Sequence, residues 1–224
     1  MTNPEPPDTK AKILDAAESL FSEHGFAETS MRAITSTADV NLAAAHYHFG
    51  SKEAVLGAVL ERRLEPINRK RIDEVRRVLE AGGGDPPEVE QVLHAFFGPA
   101  FETIERMGEA GARFVRLAGR MHADSNETVR ALFVDQFRDV VPPFVEAFRR
   151  ALPQHDDDVI GWKVHFVIGA MAHTLAWTRD VGGPSAVGLP GPPADPAAVQ
   201  EALVSFCAAG LRAPVTTRSM EDVR

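Results

Sequence analysis

The chain has 224 residues, of which 44% are hydrophobic and 25% are charged, and its formal net charge is −8. This acidic balance argues against a protein that binds polyanions non-specifically. No apolar run is long enough to span a bilayer, and the N-terminal MTNPEPPDTK does not resemble a signal peptide. We therefore expect a cytoplasmic protein with no membrane partner. The single cysteine, Cys207, lies in the run LVSFCAAGL, which favours a buried apolar side chain over a reactive thiol.

Helical periodicity recurs along the chain, and strand patterns are nearly absent. The first helix is predicted to begin at Asp8 or Thr9, with an apolar stripe between Ile13 and Phe21. Gly25 should end it in a left-handed conformation, because glycine adopts that region without steric cost.

Two short helices follow. Thr29 or Ser30 can cap the first, MRAITSTA, and Asn41 can cap the second, which Phe49 closes. The turn between them, ADVN, places Asp39 where a left-handed residue is needed, and aspartate tolerates that conformation better than most residues.

The rest of the chain predicts a larger helical body. A long pattern runs from Ser51 to the glycines at 82–84, and Pro66 predicts a kink or break near residue 65. The run ERRLEPINRKRI within it could be a nuclear-localisation or membrane-binding patch, but a solvated helix is the preferred interpretation. A break or bend is predicted at Gly98-Pro99, and Pro142-Pro143 should redirect the chain. The sequence also predicts a helix with Asp124 as its cap, a loop over 181–193 and a last helix from Asp195 to about Arg212.

A helix, a short helix, a four-residue turn and a second short helix form the helix-turn-helix arrangement. Its second short helix enters the major groove of DNA. The alanines at 43 and 44 would allow a close approach to base edges and contact with thymine methyl groups, as would Leu42, and His46 lies about one turn further on. Tyr47, His48 and Lys52 would then face phosphate oxygens at the groove's rim.

The segments ILDAAESLFSEHGFAETSMRAIT (13–35) and VNLAAAHYHFGSKE (40–53) together closely resemble the tetracycline-repressor (TetR) family. Asp39 departs from the glycine usual in that family. The resemblance implies an all-α homodimeric repressor of a palindromic operator in double-stranded DNA. By position, it implies base-reading roles for Arg32, Leu42, Ala43, Ala44 and His46, and backbone-contacting roles for Ser30, Tyr47, His48 and Lys52.

The domains expected on this basis are a helix-turn-helix DNA-binding domain at 1–52, a helical ligand-binding and dimerisation domain at 53–213, and a disordered tail at 214–224. The stretch from NLAAAHYHFGSKEA to ERRLEPIN also resembles the subgroup that responds to fatty acids or acyl thioesters. A hydrophobic small-molecule effector is therefore expected. Pockets in helical proteins form where broken helices leave room, which points to a lining of Phe97, Phe101, Phe114 and Phe137.

The last two long helices carry apolar and small residues at helical spacing, which allows two helices to approach closely. The resemblance implies that they form a four-helix dimer interface. The predicted interface residues are Trp162, Phe166, Gly169, His173, Trp177, Leu203, Phe206 and Gly210.

Other functions fit the sequence less well. His46 and His48 point to different sides of a helix, and His165 and His173 stand too far apart, so no metal site and no cofactor is expected. The nucleophile, nucleotide-binding and zinc-protease motifs of common enzymes do not occur. A helical protein-interaction scaffold remains the alternative, but it leaves the alanine-rich helix with its histidines and tyrosine unexplained.

Overall fold

The computed structural model describes residues 9–177 and 195–214, without the side chains at 122–123 and 176–177. Within these ranges the chain forms ten helices and no strand, which confirms the predicted all-α class. No helix in this part of the chain is both long and apolar enough to cross a membrane. The helices are α1 (Thr9–Glu28), α2 (Met31–Thr37), α3 (Leu42–Phe49), α4 (Lys52–Ala81), α5 (Val89–Arg106), α6 (Glu109–Ala123), α7 (Glu127–Asp135), α8 (Val141–Ala151), α9 (Asp157–Trp177) and α10 (Pro196–Arg212).

The chain divides into two compact units. The first contains residues up to 69 and 102–139, and the second contains 70–101 and the residues from 140 onwards. Helices α4 and α5 therefore each contribute to both units. The predicted functional boundary between residues 52 and 53 stays a prediction.

The core of the first unit begins with the apolar stripe of α1, where Ile13 and Phe21 are fully buried. Gly25 interrupts this helix with φ 80°, as predicted, and Phe26 folds back so that its ring centroid lies 5.7 Å from that of Phe21. Helices α2 and α3 pack on α1 through Ile34 and Ala45, both fully buried. Three short apolar faces thus share one core.

A kink or break was predicted at Pro66 and a break or bend at Gly98-Pro99, and neither site breaks its helix. Helix α4 continues through Pro66 and α5 continues through Pro99. A proline removes one backbone donor from a helix, but the many remaining hydrogen bonds and the packing of each long helix outweigh that loss. The prolines at 142 and 143 do fall at a break, because they occupy the first turn of α8.

The prediction that Asp124 caps the next helix is also wrong. Asn126 is the N-cap of α7, and its side chain accepts from the amides of Thr128 and Val129. Asp124 instead accepts from the amide of Asn126 at 2.8 Å, forming a turn before the helix. Both residues are good cap formers, so the choice depends on the path of the chain.

The core of the second unit is formed by the apolar faces of α5, α8, α9 and α10. Cys207 lies in this core, as predicted, and burial raises the pKa of its thiol to about 11. The end of ERRLEPINRKRI is not a solvated helix, contrary to the prediction, because Arg71 is only 1% exposed. Its Nε donates to the Phe96 carbonyl at 2.8 Å, and burial lowers the pKa of Arg71 to about 9.

Two predictions lie outside the described residues. These are the loop over 181–193 and the tail from residue 215. The side chain of Trp177 is likewise outside them, although its backbone ends α9.

Candidate nucleic-acid interface

Helix α3 is fixed at both ends by local hydrogen bonds. Asn41 caps its start, as predicted, with its side-chain oxygen 2.7 Å from the amide nitrogen of Ala44. Gly50 ends it with φ 76° and donates its amide to the carbonyl of His46. The small side chain of Ala45 is fully buried and packs this side of α3 against the core. The opposite side of the helix therefore faces outward.

The outward side of α3 carries most of the predicted DNA-contacting residues. Tyr47 is 87% exposed, and Ala43, His46 and His48 are also exposed. Leu42 and Ala44 are half-buried at the first turn. The structure therefore places these six residues on one short helix, with small side chains first and ring-bearing ones last.

His46 has a defined tautomer in its neutral form. Its Nδ1 lies 2.9 Å from the carbonyl oxygen of Gly50, and because a carbonyl can only accept, Nδ1 must carry the proton. The Nε2 of the neutral ring is then an acceptor. An acceptor suits the exocyclic amino group of adenine or cytosine, which the major groove displays.

Helix α2 presents the other predicted contacts. Ser30 is its N-cap, and its hydroxyl accepts from the amide of Ala33 at 3.1 Å. Arg32 is exposed one residue into the helix. In the turn that follows, Asp39 has φ 54°, which confirms the predicted left-handed residue.

Lys52 is engaged within the protein. Its Nζ donates to the carbonyls of Phe26 and Thr29, each at 2.8 Å, and lies 4.1 Å from the Phe26 ring centroid. The ammonium thus holds the corner between α1 and α2, and this role was not predicted. Its contact with the DNA backbone stays a prediction.

A buried charge cluster between α1 and α4 in the first unit was also not predicted. Glu18 is 2% exposed and is held by Arg62 and Arg63 of α4. A signal exists in the sequence, because Glu18 lies on the same helical face as Leu14 and Phe21. A carboxylate on an apolar stripe needs a cationic partner.

The four predicted pocket residues fall in different units. Phe97 and Phe101 are buried in the second unit, and Phe114 and Phe137 belong to the first. Phe97 and Phe101 pack in the apolar core of the second unit, and the ring of Phe137 contacts that of Phe133. Their role in binding an effector stays a prediction.

The predicted dimer residues lie along α9 and α10 in the second unit. Trp162, Phe166 and Phe206 are 63%, 65% and 73% exposed, respectively. Gly169, His173 and Gly210 are exposed beside them, whereas Leu203 faces the core. An open groove of about 550 Å³ runs between the two helices, lined by Gly169, Ala170, His173, Thr174, Val199, Ala202, Leu203 and Phe206. Among the described residues no cluster of His, Cys, Asp and Glu could hold a metal ion.

Comparisons with known proteins agree with this architecture. Residues 13–59 match the family model "Bacterial regulatory proteins, tetR family", and residues 94–210 match "Tetracyclin repressor-like, C-terminal domain". The HTH-type transcriptional regulator UidR of Escherichia coli is 31% identical over 139 residues, covering 58% of this chain and 65% of UidR. The aligned part of the chain therefore spans somewhat less than two thirds of that relative.

Solved structures share the fold. The fatty acid degradation regulator FadR of Bacillus halodurans superimposes with a TM-score of 0.63 at 15% identity, covering 94% of this chain and all of FadR. A TetR-family transcriptional regulator of Bordetella parapertussis gives 0.61 at 18% identity, covering 90% of this chain and 95% of the other. With both family regions matched and a helix-turn-helix exposed on the first unit, the chain belongs to the tetR family of bacterial regulatory proteins.

Proposed function

We propose that the protein is a homodimeric repressor that binds a palindromic operator through α2 and α3 and is released by a hydrophobic small molecule. The observation that carries the DNA-binding part is the outward face of α3. Its small side chains allow close approach to base edges, and its exposed rings find no partner in a core. Bacterial DNA lies in the cytoplasm, so this function also supports a cytoplasmic location.

The exposed apolar residues of α9 and α10 support the dimer. Three large aromatic side chains facing water along two adjacent helices form a patch that soluble proteins normally cover. The small residues beside them allow a second pair of helices to approach closely. A two-fold dimer would present two recognition helices to two half-sites about 34 Å apart.

A hydrophobic effector, of the acyl type, is the proposed ligand. The likeness to FadR of Bacillus halodurans supports this choice, since that protein is described as a fatty acid degradation regulator. The buried phenylalanines of α5 would supply apolar walls. The effector would release the DNA by binding more tightly to an arrangement in which α4 is tilted. A ligand shifts such an equilibrium only through its different affinities for the two arrangements.

The first test is to select binding sites from a random duplex DNA pool with the purified protein. We expect a palindrome with two half-sites. His46→Ala should change the preferred base at one position of each half-site, with a loss of about tenfold for the original site, since one good base contact contributes about 1–3 kcal/mol. Tyr47→Ala should weaken binding to all sequences alike.

His24→Ala provides the control, because His24 is an exposed histidine on α1 outside α2 and α3. It should select the wild-type palindrome with unchanged affinity. If no sequence is enriched at low salt, the protein-interaction scaffold becomes the better interpretation. Once a site is known, fatty acids and acyl thioesters can be screened for release of the DNA.

A further inference from the structure

Glu18 is the most deeply buried carboxylate among the described residues of α1, at 2% exposure. Two adjacent arginines of α4 bind it. Arg62 donates through Nη2 to Oε2 at 2.7 Å, and Arg63 donates through Nε to Oε2 at 2.8 Å and to Oε1 at 3.1 Å. Arg62 also reaches Asp15, one turn earlier on α1, at 2.8 Å. These contacts join the first helix of the DNA-binding unit to the middle of α4.

The use of neighbouring residues makes this cluster sensitive to rotation. Side chains at successive helix positions point about 100° apart, so Arg62 and Arg63 approach Glu18 from its two sides. Both can bind the carboxylate in only one rotational setting of α4. A buried carboxylate that lost its cations would be left unpaired at high cost, so other settings are disfavoured.

We propose that Glu18 sets the half-site spacing that this protein reads on DNA. Helix α3 has Gly50 as its C-cap, and α4 begins two residues later at Lys52. Helix α4 then continues past residue 69, where this segment of the first unit ends. In the proposed dimer, the orientation of α4 relative to α1 would therefore determine the direction in which α3 faces the DNA. This inference rests on the proposed function, since spacing has a meaning only for a dimer on a palindrome. Glu18 is a positioning residue and touches no base.

The test uses the full chain and the palindrome found by selection, with one or two base pairs inserted or removed between the half-sites. For the wild type, each change should lower affinity at least about tenfold, within the range of ordinary coupling between sites. Glu18→Gln keeps the size of the side chain and removes its charge. Its affinity should vary by less than about threefold across the same series.

Glu65→Gln is the matched control. Glu65 lies on α4 and pairs only along that helix with Arg69, and both side chains are more than half exposed. This variant makes the same charge change and should keep the wild-type spacing profile. Circular dichroism and thermal unfolding establish which variants are folded.

Arg63→Gln provides a second variant in case Glu18→Gln does not fold, since it leaves the bond from Arg62 in place. It should broaden the spacing profile in the same direction but to a smaller extent. Folded variants that keep the wild-type profile would overturn the inference while leaving the proposed function intact. A wild type that selects no palindrome would overturn the proposed function, and this inference with it.

Discussion

Lys52 holds three segments together at a single ammonium group. Its two carbonyl acceptors end α1 and precede α2, and the lysine itself begins α4. Hydrogen bonds from a charged group contribute about 1.5–3 kcal/mol each when buried, and Lys52 is only half-buried. Lys52 therefore stabilises the corner between α1 and α2, although the sequence predicted for it a contact with DNA phosphates.

Lys52→Ala should lower the free energy of unfolding by about 1–3 kcal/mol, because two carbonyls lose a charged donor. Urea unfolding measures this change, with Lys12→Ala on α1 as the control. The variant should also bind all DNA sequences more weakly. If the folded variant binds DNA as well as the wild type does, Lys52 has the structural role alone and its predicted phosphate contact is wrong.

Residue-level predictions succeeded where the signal is local. The caps Ser30 and Asn41, the left-handed Asp39 and the break at Gly25 each depend on a few neighbouring residues. The partners of Glu18 and Lys52 lie 23 to 45 residues away in the chain. One sequence does not show which distant side chains will meet, so those contacts were missed.

At the scale of elements, proline was given too much weight. Pro66 was expected to kink or break its helix and Pro99 to break or bend the next one, and both lie within continuous helices. Local propensity competes with the packing of a whole helix, and packing prevails when apolar residues continue on the same face beyond the proline. Such residues follow Pro66 at Ile67 and Val75, both about 1% exposed.

The start of α7 allows two candidate caps to be compared directly. Asn126→Ala should lower the free energy of unfolding by about 1 kcal/mol, because the amides of Thr128 and Val129 lose their acceptor. Asp124→Ala removes a single turn bond outside the helix and should cost less. Thermal unfolding of both variants decides the order. An equal or larger loss for Asp124→Ala would show that the turn, and not the cap, controls this helix.

At the scale of the whole molecule, the proposed dimer depends on the exposed aromatic patch of α9 and α10. Phe206→Glu should prevent association, since an uncompensated charge buried in an apolar interface costs about 3–5 kcal/mol. Sedimentation should then show a monomer, and affinity for the palindrome should fall by at least about tenfold. Val134→Glu, which changes a 60% exposed apolar residue of α7, should leave both properties unchanged.

If Phe206→Glu remains a dimer, the interface lies elsewhere.

The sequence was sufficient for the overall plan, because the helix-turn-helix pattern and the helical periodicity are local signals. The lining of the effector site stays a prediction. Two of the phenylalanines chosen for it, Phe97 and Phe114, are buried in separate units. A lining depends on how helices pack, which periodicity does not specify.

The placement of the aromatic residues also assigns the near-ultraviolet signals of this protein to particular helices. The chain has one tyrosine, Tyr47 on the recognition helix, and two tryptophans, both on α9. Excitation at the red edge of the absorption band, where only indole absorbs, would report on α9, and dilution should shift its emission as Trp162 becomes exposed to water. The phenol of Tyr47 lies on α3, but its absorption band overlaps those of indole and of DNA bases. Indole emission excited at the red edge could therefore follow the proposed assembly in an unlabelled sample, without a contribution from α3.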